Sequence, residues 1–124
     1  MNGIVYDTSQ VGLEAVLKVW QLKALHVLWS SPEGAKSFIV WEKVNKMLEG
    51  ETISRASIIN FLEAMRETGV LSGEQETGKG GYHWVYSPAM DEAGFKQFIA
   101  KTLLEKLMRE FPDEVREAIK RLNR

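Results

Sequence analysis

Residues 54 to 88 constrain the fold of this chain more than any other stretch. Ser54-Arg55-Ala56-Ser57 opens a run in which Ile58, Phe61, Leu62 and Met65 recur at helical spacing. Ser54 carries the side-chain oxygen that an N-cap needs. Gly69 is placed to end the helix, since glycine adopts a positive φ at little cost. Val70 and Leu71 begin an extended segment, and Glu74 to Gly81 reads as a glycine-rich tip. Tyr82, Trp84 and Tyr86 then alternate with His83 and Val85, the period of a strand with two unlike faces. A helix followed at once by a β-hairpin leaves few architectures for the flanking residues to complete.

The upstream residues supply two more helices. Val16, Val19, Trp20, Leu22, Leu25, Leu28 and Trp29 predict a helix over 13–30. Ser31-Pro32-Glu33-Gly34 ends it. Phe38, Trp41, Val44 and Leu48 lie on one face of a second helix over 37–49, closed by Gly50. Downstream, Asp91-Glu92 places acids at the positive end of a fourth helix. Its stripe comprises Phe95, Phe98, Ile99, Leu103, Leu107, Met108 and Phe111. Pro112 breaks that helix and opens a last one, carrying Val115, Ala118, Ile119 and Leu122. The expected fold class is therefore α+β: a winged helix-turn-helix of three helices plus a β-hairpin wing, followed by C-terminal dimerisation helices. The expected divisions are an arm over 1–12, the winged-helix domain over 13–90 and a helical dimerisation region over 91–124.

Composition narrows the functions open to such a chain. Its 124 residues, 44% hydrophobic and 27% charged, suit a packed globular domain. With no cysteine it has no disulfide frame, thiolate metal site or cysteine nucleophile. His26 and His83 belong to no metal or catalytic spacing, and the carboxylates are scattered on helix faces. No catalytic residue, metal or cofactor is expected, and an enzyme is not. The first residues lack the pattern of a signal peptide, and Glu14, Lys18, Lys23 and His26 interrupt the longest apolar region. The expectation is a cytoplasmic protein without a membrane partner.

A helix in this position reads double-stranded DNA in many proteins. Opposite its apolar arc lie Ala56, Ile59, Asn60, Glu63, Ala64 and Glu67, with Arg55 in the first turn and Ser57 on the flank. Asn60 and Ser57 suit base or phosphate contacts, and Arg55 suits either. Lys79, in the tip Thr77-Gly78-Lys79-Gly80-Gly81, suits a phosphate. Glu63 reads as an acid facing the partner. Net charge argues the other way. The chain stands at −1. Residues 36–90 hold six bases (Lys36, Lys43, Lys46, Arg55, Arg66, Lys79) against seven acids (Glu42, Glu49, Glu51, Glu63, Glu67, Glu74, Glu76). A winged helix that binds another protein within a larger assembly is the alternative reading, favoured by this balance and by Ile59. The stripe on the fourth helix suggests a second copy of the chain as partner.

From Trp20 onward the order of elements resembles the penicillinase-repressor and copper-repressor family of winged-helix regulators. The likeness rests on Leu25-His26-Val27-Leu28-Trp29, on Ser54, Ser57, Ile58, Leu62, Met65, Gly69, Val70 and Leu71, and on Tyr82, Trp84, Tyr86 and Pro88. Asp91 onward is similar to the family's dimerisation helices. The resemblance implies a homodimeric repressor on a palindromic operator, with Ser57 and Asn60 at base-reading or phosphate-touching positions. Ala56 and Ile59 stand where the family commonly has basic or polar residues. The family's C-terminal copper-binding cysteines have no counterpart. Its Asn-Phe cleavage pair in the dimer region has none either, because Asn60-Phe61 lies in the third helix.

Overall fold

The computed structural model describes residues 4–78 and 81–123, with the backbone alone at Tyr82. The chain divides into two compact units, residues 1–92 and 93–124.

The first unit begins with a segment tied down at its middle. The Asp7 amide donates to the Ala15 carbonyl at 2.7 Å, beside a short 3-10 turn over Gly12–Ala15. That bond has a consequence for the helix expected over 13–30. In a continuous helix the Ala15 carbonyl would accept from Val19 four residues on. Asp7 takes it instead, and the first α-helix, α1, spans only Val19–Trp29. The Gln21 side chain accepts from the Lys18 amide at 2.9 Å and covers one orphan donor at the new start.

A two-residue strand, β1 (Ala35–Lys36), leads directly into α2 (Ser37–Met47). The sequence carries no periodic signal for β1, whose position depends on Gly34. Gly34 has φ +97°, and a Cβ there would sit 2.9 Å from both the Tyr86 carbonyl and Val85 Cγ1. Only glycine lets the chain pass this close to the strand it joins.

The turn from α2 to α3 (Arg55–Glu67) is fastened by side chains. Asn45 donates to the Trp41 and Ile53 carbonyls at 3.0 and 3.2 Å and accepts from the Ile53 amide at 2.9 Å. Trp41 Nε1 donates to the same Ile53 carbonyl at 2.9 Å. One asparagine thus satisfies both polar groups of Ile53, just before the Ser54 cap. Asn45→Ala is expected to cost about 2 kcal/mol, from a half-buried amide left without its acceptor. Urea unfolding checks this. A loss below about 0.5 kcal/mol, the size of an ordinary surface change, would contradict the role given to Asn45.

The Ser54 side chain accepts from the Ser57 amide at 3.1 Å, the N-cap that the sequence predicts. Strands β2 (Leu71–Gly78) and β3 (Gly81–Pro88) pair antiparallel from Leu71↔Pro88 to Gly78↔Gly81. Residues 74–78, expected in the tip, therefore belong to the ladder. The three-stranded sheet has the order β1-β3-β2. Leu25, Leu28, Val40, Val44, Ile58, Leu62, Met65 and Val70 are fully buried, with Leu71 and Tyr86 nearly so. This core unites the helix-turn-helix and the wing in an α+β winged-helix fold.

The second unit holds most of α4 (Glu92–Glu110) and all of α5 (Pro112–Leu122), with Pro112 at the first helical position. Phe95 and Ile99 are buried within the single chain. Leu104, Leu107, Phe111, Ile119 and Leu122 are exposed. No helix among the described residues is long and apolar enough to cross a membrane.

Candidate nucleic-acid interface

Helical geometry sets which side chains α3 offers. Ile58, Phe61, Leu62 and Met65 point into the core, at i, i+3, i+4 and i+7. Arg55, Ala56, Ile59 and Asn60 are consequently exposed on the opposite face. Ser57 is half-buried, and its hydroxyl accepts from the Ser54 hydroxyl at 2.9 Å, inside the cap. Lys79 lies outside the described residues.

Beside this face is a groove of about 570 Å³, bounded by the start of α2, by α3 from Arg55 to Glu63 and by β3. Arg55 forms part of its wall, with the guanidinium 5.3 Å from the centre of the Phe38 ring. That contact orients the cation on an aromatic platform while its donors stay available. Lys36, from β1, lines the groove too, as do His83 and Trp84 on β3. Sequence reasoning missed Lys36, because a base in an unpatterned connection gives no sign of where β1 will carry it.

Glu63 is the only carboxylate among the described residues lining the groove, and the structure corrects its expected role. It does not stand open to a partner. The Tyr86 hydroxyl donates to Glu63 Oε1 at 2.5 Å, and Arg66 donates twice to Oε2, at 2.8 and 3.1 Å. The Arg66 guanidinium in turn lies 4.5 Å from the centre of the Trp84 ring. A Cβ on Gly73 would fall 2.5 Å from Arg66 Cδ and 3.0 Å from Trp84 Cε3, so this stack needs a glycine in β2. The cluster fastens the wing to α3 and neutralises the acid that a helical wheel leaves facing outward.

The same cluster sets a pH window. The Tyr86 hydroxyl, helped by Arg66 against the opposing effect of burial, holds the Glu63 carboxyl below its ordinary range. Burial, followed by the Glu63 carboxylate, pushes the Tyr86 phenol far up. A carboxyl lowered in the folded state contributes stability above its unfolded pKa of about 4.3, lost as pH falls through the folded value. A phenol raised in the folded state contributes below its unfolded pKa of about 10, lost as pH rises towards the folded value. Tyr86→Phe is expected to cost about 1.5 kcal/mol at neutral pH, the worth of a hydrogen bond to a charged acceptor. The loss should shrink over the acid range in which pH falls through the lowered Glu63 value and the carboxyl takes up its proton. Denaturant midpoints of both proteins across this range check the window, and an equal loss at both ends would contradict it.

The arrangement offers bases and aromatics on a concave surface and no reacting constellation. Among the described residues, no group of three or more His, Cys, Asp or Glu could hold a metal.

No protein-family model matches the sequence, and no curated protein matches it. Solved structures share the fold. A possible transcriptional regulator from Methanosarcina mazei Go1 superposes with a TM-score of 0.60 at 14% identity, covering 82% of this chain and 78% of its own. A candidate transcriptional regulator from Thermoplasma acidophilum gives 0.52 at 21% identity, covering 81% and 90% respectively.

Proposed function

We propose that this protein is a sequence-specific DNA-binding transcriptional regulator that acts as a homodimer, with α3 in the major groove and the wing against the adjoining backbone. The observation that carries this reading is the charge of the groove beside α3. Over the whole module acids outnumber bases, but the groove presents Lys36 and Arg55, and its one carboxylate is already held by Arg66 and Tyr86. Phosphate contacts position a protein on DNA, and base edges specify the site. Lys36, Arg55 and Lys79 take the first role. Asn60, exposed one turn further along α3, takes the second, with Ser57 at the flank. The fold is shared with structures described as transcriptional regulators, which supports the same reading.

The homodimer rests on the exposed apolar residues of the second unit. Two copies on one duplex would read a palindrome, because the symmetry of the site mirrors that of the protein. Repression follows if that site overlaps a promoter, as the resemblance to the penicillinase-repressor and copper-repressor family implies.

The test is selection from a pool of random duplexes by the full chain. An enriched sequence with two inverted half-sites supports the proposal, and failure to enrich any sequence overturns it. The second reading, a protein-binding module, is favoured by one observation: Phe38 and Ile59 are 40% and 36% exposed in the same groove. Under that reading the pool yields nothing, and duplex binding is absent at every salt concentration.

A further inference from the structure

A second pocket, of about 440 Å³, lies on another part of the first unit, between the end of α1 and the second half of α2. Its size falls in the range of small-molecule sites, and its lining is mainly apolar, with Val27 and the half-exposed Met47 contributing. Lys43 and Lys46 border it, three residues apart and so on one face of α2. His26 forms another part of the wall, held by Glu92 at 3.1 Å from its Nε2. No carboxylate is among the described residues that line the pocket, and no ion pair joins either lysine to an acid among them. An apolar floor under two cations left without acids matches a ligand with one flat apolar body and one negative group.

We propose that this pocket binds a small aromatic carboxylate, with the ring against Val27 and Met47 and the carboxylate between Lys43 and Lys46. It shares no lining residue with the groove beside α3, so binding here does not depend on the DNA reading. Its place on the helix-turn-helix suits an effector of that reading. His26 also holds Glu92, the last residue of the first unit.

The test is an NMR titration of the isotope-labelled full chain with benzoate, in the absence of DNA. Saturable shifts are expected at Val27, Lys43, Lys46 and Met47. Benzamide, the neutral analogue, should bind at least about tenfold more weakly, a difference of about 1.4 kcal/mol. The double variant Lys43→Gln, Lys46→Gln should lose benzoate binding to the same extent. Both lysines are exposed, so its spectrum should otherwise match the wild type. Absence of saturable shifts at these residues, equal binding of benzamide, or equal binding of inorganic phosphate would each overturn the proposal. Because no duplex is present, none of these results bears on DNA binding.

Discussion

Replacing Leu107 and Phe111 with aspartate is expected to turn a dimer into a monomer that keeps its fold. Both side chains are about half exposed in the single chain, 46% and 54%, so their removal opens no cavity in it. Leu104, Leu107 and Phe111 lie at i, i+3 and i+7, one stripe on α4. Ile119 and Leu122 add a second stripe on α5. Each large side chain fully buried against a partner contributes roughly 1.5–3 kcal/mol. An aspartate forced into such an interface without a partner charge costs about 3 kcal/mol or more, over a hundredfold in dimer affinity. Light scattering should show a dimer for the wild type at tens of micromolar and a monomer for the variant. Circular dichroism should be the same for both. A monomeric wild type at that concentration would remove the homodimer from the account. Phe95 and Ile99, which the sequence places on the same stripe, are buried in the isolated chain and cannot serve as partner contacts without rearrangement.

The second large effect concerns Asn60 and Arg55, which should fail in different ways. Asn60→Ala removes a side chain able to bond an adenine bidentately, and should cost about 1–3 kcal/mol at one or two base pairs of the selected site. Random duplex should be bound as before. Arg55→Ala removes a cation held on Phe38. It should weaken binding to every sequence and lower the salt slope by about one. Anisotropy titrations on selected and random duplexes separate the two patterns. Equal loss on both duplexes for Asn60→Ala would deny it a reading role.

Much of this architecture was legible from local pattern. Ile58, Phe61, Leu62 and Met65 announce the buried face of α3, and Ser54 announces its cap, because both signals act within a turn or two of the chain. Two of the misreadings share one cause. A bond to a residue outside the helical repeat overrode the local pattern. Asp7 captures the Ala15 carbonyl and shortens α1. Tyr86 reaches back 23 residues to Glu63, so an acid that the helical wheel exposes is drawn into the wing junction. A buried tyrosine needs a partner for its hydroxyl, and that need was the available clue. Asn45 carried no clue at all, since a lone asparagine in a helix does not reveal which carbonyl it will meet.

These contacts also change what net charge says about function. Glu74 and Glu76 lie on β2, an edge strand of the sheet, and neither lines the groove beside α3. Glu63 lines it but is paired. The placement of each charge therefore says more than the balance of the module: Glu63 is neutralised, whereas Glu76 faces His83 across the strands and stays near the groove. What matters for a phosphate is the charge within about a Debye length, roughly 10 Å at 0.1 M salt.

The central claim, that α3 and the wing form a DNA-binding surface, is tested most directly by titrating labelled random duplex with the wild-type protein at two salt concentrations. The account predicts measurable binding at low salt that weakens steeply as salt rises, with a shallower dependence for Arg55→Ala. Undetectable binding at low salt, or binding that is indifferent to salt, would contradict it.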